Sequence, residues 1–135
     1  MSFIKTISFK PLGDERGSLV ALEGNNKSVP FDIKRVYYIF GTKEGVSRGF
    51  HAHRNLKQVA VCVTGSCRFV LDNGKQREEI VLDKSTIGLL INDLTWREMY
   101  DFSPDCVLMV LENEHYDESD YIRDYQEFLK AVNNG

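Results

Sequence analysis

The sequence contains no apolar run that approaches the roughly 20 residues needed to cross a bilayer. Its first residues also lack the apolar segment and the small-residue cleavage site that mark a secretory signal peptide. We therefore expect a cytoplasmic protein that has no membrane partner.

An excess of positive charge is missing as well. The chain carries 17 Lys and Arg residues against 20 Asp and Glu residues, which gives a formal net charge of −3. Proteins that bind nucleic acids usually present a basic surface. We therefore expect no nucleic-acid partner, and an anionic ligand would have to be held by a few locally placed Arg and Lys side chains.

Cysteines are few and odd in number: Cys62, Cys67 and Cys106. All three lie in or beside apolar, strand-like runs, which predicts reduced and mostly buried thiols in a cytosolic protein. A catalytic thiol is the alternative. It is disfavoured because only Cys67 has a basic neighbour in sequence, Arg68, and no cysteine adjoins a histidine.

The sequence does contain a series of short β-type runs separated by turn residues. A chain of 135 residues can form one sizeable core, so we predict a single domain over residues 1–135. Many short strands of this kind indicate an all-β, antiparallel sandwich or barrel. The pair Asn73-Gly74 predicts a tight hairpin in which both turn residues take positive φ. The predicted strands are 3–9, 18–23, 34–40, 49–53, 58–64, 67–71, 78–82, 87–91, 95–100 and 106–112.

The last segment of the chain changes its hydrophobic period. Apolar residues recur there at helical spacing, and the acidic residues that precede them suit the first turn of a helix. We predict a C-terminal amphipathic helix over about 118–132 that packs on the barrel. Its periodic residues are Tyr121, Ile122, Tyr125, Phe128, Leu129 and Val132.

One pair of histidines carries the candidate chemistry. His51 and His53 are two residues apart on a predicted strand, so their side chains point to the same side of a sheet. The spacing of Gly45, the two histidines, Gln58 and Gly65 resembles the first motif of the cupin superfamily. The resemblance implies a cupin-type antiparallel β-barrel or jelly roll, in which metal-binding members use the histidine pair, a glutamate and a later histidine as ligands.

Two of those four metal ligands are missing here. Gln58 stands at the position of the glutamate, and Trp96 or Arg97 stands where the later histidine would be. A neutral amide is a poor ligand for a hard cation, and an arginine brings a permanent positive charge. His115 lies in an acidic segment and is expected on the surface. We therefore predict no metal, which leaves a proton-handling pair or a structural pair of hydrogen-bonded core histidines.

Several longer blocks resemble one family within the cupins, the 3,4-ketoisomerases that act on dTDP-4-keto-6-deoxyglucose. These blocks cover residues 14–19, 30–39, 48–53, 96–99 and 116–123. The resemblance implies a homodimeric isomerase, free of metal and of other cofactors, that forms a dTDP-3-keto-6-deoxyhexose. Such a product normally feeds an aminotransferase and an acetyltransferase that make 3-acetamido sugars for bacterial surface glycans, such as O-antigen and S-layer glycans.

The chemistry of this reaction assigns roles to the candidate residues. The 4-keto group acidifies the proton on C3, so a base can form an enediol that is then reprotonated at C4. Our hypothesis is that His51 and His53 transfer the protons and that Tyr37 is a supporting donor or relay. The predicted substrate-binding residues are Arg16, Arg35, Arg48, Arg97, Lys57 and Gln58, with Arg35 and Arg48 on the diphosphate.

The configuration at C4 divides the family into a galacto and a gluco branch. Arg16 in its Asp-x-Arg-Gly run resembles the galacto branch, whereas Arg97 after Trp96 resembles the gluco branch. The chain mixes the two signatures, and our prediction leans to the galacto product.

Three other functions remain open from the sequence. A 3,5-epimerase on the same substrate uses related chemistry, but the short chain and the paired histidines disfavour it. A non-catalytic cupin that binds a sugar nucleotide is an alternative of another class. Metal-dependent oxygenase chemistry is disfavoured by Gln58 and Arg97.

Overall fold

The computed structural model describes residues 1–134, which form two five-stranded antiparallel sheets, a short hairpin and one C-terminal helix. The strands are β1 (Lys5–Ser8), β2 (Leu12–Asp14), β3 (Gly17–Leu19), β4 (Arg35–Phe40), β5 (Arg48–His53), β6 (Gln58–Thr64), β7 (Cys67–Asp72), β8 (Arg77–Leu82), β9 (Ile87–Ile91), β10 (Trp96–Tyr100), β11 (Val107–Glu112) and β12 (Tyr121–Ile122), and the helix is α1 (Tyr125–Asn134). One sheet has the strand order β1-β9-β6-β11-β4 and the other β12-β5-β10-β7-β8, while β2 and β3 pair only with each other. This arrangement confirms the predicted all-β fold with a C-terminal helix.

The main core lies between the two sheets, and residues such as Phe69, Leu89 and Leu108 fill it. The first sheet is apolar on its outer face too, where Val59 and Leu111 are fully buried. The segment 20–33 covers that face with side chains that include Phe31. A sheet covered on both sides explains why β6 and β11 are apolar at consecutive positions.

Most of the predicted strands are confirmed, but the prediction of a strand over 18–23 is wrong. The chain instead forms the β2–β3 hairpin and then crosses the outer face of the first sheet without joining it. Val20 and Leu22 pack onto that face, while Ala21 between them is exposed. Asn25 and Asn26 then turn the chain with φ values of 56° and 63°.

The predicted hairpin at Asn73-Gly74 exists, but its turn differs from the expected one. Asp72 pairs with Arg77, so the loop is longer than two residues, and only Gly74 of the pair has positive φ, at 93°. The Asn73 side chain accepts hydrogen bonds from the backbone N–H groups of Lys75 and Gln76, at 2.9 and 2.8 Å. This side-chain cap stabilises the longer turn.

The helix begins at Tyr125, so the predicted start near residue 118 is wrong. Tyr121 and Ile122 form β12 and pair with His53 and Ala52 of β5. Asp124 then accepts hydrogen bonds from two backbone N–H groups of the first helical turn, which makes it the cap. No helix within residues 1–134 has the length and apolar character needed to cross a membrane.

Candidate active site

A bulge in β5 positions the two histidines. Gly49 and Phe50 have φ values of 91° and 60°, and the pairing with β10 shifts register at this point. A Cβ atom at Gly49 would lie 2.9 Å from the carbonyl oxygen of Arg97, so the close approach of the two strands requires glycine. Beyond the bulge His51 and His53 share one face, with their ring centres 5.0 Å apart, as the sequence predicted.

A chain of buried polar groups lies beside the histidine pair. Arg97 pairs with His51 across the two strands and is only 2 % exposed. Its guanidinium donates to the side-chain oxygen of Gln58 and, at 3.2 Å, to the carbonyl oxygen of Thr95. The Gln58 amide in turn donates to Glu112 at 2.6 Å, and Arg35 donates to the other oxygen of Glu112 at 2.8 Å. Two guanidinium groups and one carboxylate therefore leave one net positive charge.

This chain of groups explains why glutamine replaces glutamate at position 58. A side-chain amide can accept from a cation on one side and donate to an anion on the other, which an ionised carboxylate cannot do. A glutamate in its place would confront Glu112 with a second buried carboxylate.

The residues do not fit a bound metal ion. The oxygen of Gln58 is already bonded to Arg97, and Arg97 places a positive charge beside the histidines. Within the described residues no third His, Cys, Asp or Glu ligand atom joins the pair. Two imidazoles beside a guanidinium make a poor site for a divalent cation.

Aromatic residues from the segment after β11 form the other wall of the site. The Tyr121 ring lies 5.0 Å from the His51 ring and 4.3 Å from the His53 ring, measured between centres. Arg123 stacks on Tyr121 at 4.2 Å and is held by an ion pair with Glu118 at 2.9 Å. The histidines are thereby enclosed between β10 and this segment.

Enclosure keeps both histidines neutral. Burial, together with the positive charge of Arg97, lowers the pKa of His51 to about 4 and that of His53 to about 2. Nδ1 of His53 lies 3.3 Å from Oδ2 of Asp120, a distance that would favour the imidazolium. Burial opposes this ion pair, because it lowers the pKa of His53 and raises the pKa of Asp120, so it favours the neutral form of both groups. The two rings therefore enter any reaction as proton acceptors.

Two buried nitrogen atoms at the site are left without a partner among the described residues. They are Nδ1 of His53, whose approach to Asp120 lacks hydrogen-bond geometry, and Nε of Arg97. Unpaired buried donors and acceptors are rare in folded proteins, and they occur where a ligand or an ordered water completes the bonding. Both atoms belong to the groups that the sequence singled out for chemistry.

A cleft of about 410 Å³ opens beside this cluster. His53, Arg35 and Glu112 line it from the barrel, and Tyr116 and Tyr121 line it from the opposite wall. The Arg35 guanidinium lies over the rings of Tyr37 and Tyr116, at 5.0 and 5.4 Å. A volume of this size accepts a small ligand with several polar groups.

Tyr37 follows Arg35 on the same face of β4, as predicted. Burial raises the pKa of its hydroxyl to about 12. The hydroxyl is therefore protonated at neutral pH and available as a donor.

Three of the predicted site residues lie apart from the cluster. Arg48 is exposed at the start of β5 and does not line the cleft. Lys57 is paired with Asp93 at 3.5 Å. Arg16 is paired with Asp14 at 2.6 Å in the exposed turn between β2 and β3.

Sequence reasoning missed Glu112, Asp120 and Tyr121. The block 116–123 carried part of the family resemblance, but only the pairing of β12 with β5 shows that it reaches the histidines. His115, expected on the surface, is exposed and lies at the rim of the cleft.

The lowered pKa values predict how stability depends on pH. In the unfolded chain a histidine has a pKa of about 6.5, above both folded values, so the unfolded state binds more protons once the pH falls below 6.5. The stabilisation is complete above that pH and is lost on acidification, by about 2 kcal/mol per histidine between pH 7 and pH 5. Urea unfolding at several pH values should show this loss.

The variants His51→Asn and His53→Asn should each flatten this dependence. His115→Asn, at an exposed position, is the matched control and should keep it. An unchanged pH dependence in both site variants would contradict the assignment of neutral, buried histidines.

Known proteins resemble the chain over nearly its whole length. Residues 2–133 match the family described as FdtA (WxcM-like, C-terminal). A TDP-4-oxo-6-deoxy-alpha-D-glucose-3,4-oxoisomerase from Aneurinibacillus thermoaerophilus is 56% identical over 128 residues, which are 95% of this chain and 91% of that protein.

Two solved structures share the fold. The sugar 3,4-ketoisomerase QdtA from Thermoanaerobacterium thermosaccharolyticum, in complex with TDP, superposes with a TM-score of 0.94 at 41% identity, covering 99% of this chain and 98% of that one. The TDP-quinovose 3,4-ketoisomerase WlaRB from Campylobacter jejuni superposes with a TM-score of 0.90 at 48% identity, covering 96% and 99%.

Proposed function

The chain belongs to the FdtA family of sugar-nucleotide 3,4-ketoisomerases, and we propose that it converts dTDP-4-keto-6-deoxyglucose into a dTDP-3-keto-6-deoxyhexose. The observation that carries the proposal is the pair of neutral histidines beside the buried cation Arg97. The relatives support the identity of the substrate, since the Aneurinibacillus thermoaerophilus protein is named as a TDP-4-oxo-6-deoxy-alpha-D-glucose-3,4-oxoisomerase and QdtA was solved with TDP bound.

The reaction begins when a neutral imidazole of the pair removes the proton on C3. The electrons move into the C3–C4 bond and then onto the oxygen of the 4-keto group, which gives an enediolate. The net positive charge of Arg97, Arg35 and Glu112 stabilises the oxygen that becomes negative. Because the guanidinium groups of Arg97 and Arg35 are already charged and held by hydrogen bonds, they need not rearrange when the enediolate forms.

The second half of the reaction returns a proton to C4. The imidazolium formed in the first step is a strong acid in this enclosed site, so it gives its proton up readily. Transfer of the proton from the C3 hydroxyl to the oxygen on C4 leaves the ketone at C3. The protonated Tyr37 hydroxyl is the proposed donor or relay between the two oxygens. Atoms and electrons balance without a metal or a redox cofactor.

The nucleotide diphosphate requires cations near the cleft. Arg35 lies on its wall, and Arg48 and Lys57 lie outside its lining. We assign Arg35 as the first contact and Arg48 and Lys57 as contacts that form when the longer nucleotide extends beyond the cleft. Charge-assisted bonds from arginine suit diphosphate oxygens.

The configuration at C4 is the finer part of the proposal. The run Asp14–Gly17 with Arg16 favours the galacto product, and this is the product we infer. Arg97 favours the gluco product, and so does the 48% identity to WlaRB, since quinovose is a gluco-configured 6-deoxy sugar. The coupling constants of the product distinguish the two.

We further infer that the protein is a homodimer and that it acts in the cytoplasm, where sugar nucleotides are made. In the structure β4 is the outer strand of its sheet, and it exposes Val36, Tyr38 and Phe40 on one face, at 50%, 63% and 68%. A row of exposed apolar side chains on an edge strand is typical of an interface. We infer that a second copy of the chain covers this row.

The function is tested by incubating the protein with dTDP-4-keto-6-deoxyglucose in deuterated water and recording NMR spectra. We expect a new ketone at C3 and deuterium at C4 of the product. The variants His51→Asn and His53→Asn should each slow turnover by about 10²-fold or more and leave dTDP binding by calorimetry unchanged, because proton transfer is the step they remove.

Other outcomes of this experiment identify the alternatives. Exchange at C3 and C5 with the ketone still at C4 would indicate a 3,5-epimerase. Tight binding of dTDP without exchange would indicate a binding protein. Full turnover in both histidine variants would contradict the proposed mechanism.

The dimer is tested by light scattering on the variants Tyr38→Asp and Val81→Asp. Each introduces a charge on an outer strand at a side chain of similar exposure, 63% and 56%, but Val81 lies on β8 of the other sheet. We expect Tyr38→Asp to be monomeric and Val81→Asp to remain dimeric. The reverse result would place the interface on the other sheet.

A further inference from the structure

Three thiols meet in the core, at the end of the barrel away from the histidines. Cys62 of β6, Cys67 of β7 and Cys106, just before β11, are all buried. The Sγ atom of Cys62 lies 3.6 Å from that of Cys67 and 3.7 Å from that of Cys106. Along β6 the cluster is about 13 Å from Gln58 at the active site, at about 3.3 Å per residue.

The spacing of the sulfur atoms matches that of ligands on a single ion. An ion with bonds to sulfur of about 2.3 Å holds its sulfur ligands about 3.8 Å apart at tetrahedral angles, and about 3.4 Å apart at the angles near 95° of a pyramidal three-coordinate ion. Two of the three separations here lie between these values, and all three sulfur atoms lie within 4.8 Å of one another. The fold therefore holds three soft ligands close to their bound positions.

The charge of the surroundings limits which ion fits. The cluster is packed against apolar side chains that include Phe69, Leu82 and Leu108. The ionised groups that act on the thiols are the acidic residues Asp83 and Asp105, which oppose any further negative charge. A divalent ion with three thiolates would be negatively charged, and a structural zinc site needs a fourth ligand, which the described residues do not add to this group. A trivalent ion with three thiolates is neutral.

We propose that Cys62, Cys67 and Cys106 form a binding site for a trivalent thiophilic ion, of which arsenic(III) is the representative. Binding is a condensation with arsenous acid. Three As–O bonds break, three As–S bonds form, and the three thiol protons leave with the hydroxyl groups as three water molecules. No electron is transferred, and no charge is left in the core.

Access to the site runs through the turn above Cys106. The backbone N–H of Ser66 donates to the Ser103 hydroxyl, and the N–H of Ser103 donates to the carbonyl oxygen of Ser66, both at 2.9 Å. Ser103 also donates to Asp105 at 2.7 Å. Ser66 and Ser103 are half-buried and Asp105 is exposed, so a local opening of this turn exposes Cys106 without unfolding the barrel.

The test uses the reduced protein under anaerobic conditions with sodium arsenite. Native mass spectrometry should show one arsenic atom per folded chain with the loss of three hydrogen atoms, and X-ray absorption should show three sulfur neighbours. The melting temperature should rise, because the folded state holds the three sulfur atoms together. The variants Cys62→Ala, Cys67→Ala and Cys106→Ala should each lose the adduct while remaining folded by circular dichroism.

Several results would overturn this inference. They are a folded protein that takes up no arsenic, an adduct that survives in all three variants, two sulfur neighbours instead of three, or a melting temperature that falls. Should an alanine variant fail to fold, the X-ray absorption of the unaltered protein still decides the question. None of these outcomes bears on the isomerase activity, since the cluster lies outside that site.

Discussion

The buried guanidinium of Arg97 is the constraint on which the site depends. A cation with 2 % exposure is stable only if its donors are satisfied and its charge is balanced nearby. Gln58 and the carbonyl oxygen of Thr95 accept two of its hydrogen bonds, Nε is left for a ligand or a water molecule, and Glu112 balances the charge through Gln58. Arg35 then completes the bonding of Glu112 and reaches the cleft. One buried charge thus constrains which side chains can stand beside it on β4, β6 and β11, the strands that face Arg97 of β10 or extend its hydrogen bonds.

The same charge sets the state of the histidines. Arg97 pairs with His51 across β5 and β10 and, after burial, is the main influence that keeps both rings unprotonated. In metal-binding cupins a cation is also held beside the histidine pair, and there it binds the imidazole nitrogen atoms. Here the cation is covalently part of the protein and donates hydrogen bonds, so the imidazole nitrogen atoms stay free to accept protons. This difference suits a reaction that moves protons and transfers no electrons to an external acceptor.

Much of this arrangement could be predicted from the sequence. The alternation of His51, Ala52 and His53 predicts that the histidines share a face, and the structure confirms it. The bulge at Gly49 and Phe50 was not predictable, because positive φ at Phe50 depends on the close approach of β10. The position of Tyr121 beside the two histidines could not be predicted for a related reason. Its spacing fits a helix, but its pairing with His53 makes it a strand, and this pairing joins residues far apart in the chain.

The proposed mechanism depends above all on His51 and His53 being neutral proton acceptors at physiological pH. The most direct test is an NMR titration of their ring carbon resonances in the free protein and in its complex with dTDP. We predict that in the free protein neither ring titrates between pH 8 and about pH 5. A protonation midpoint near pH 6.5 for both rings would contradict it.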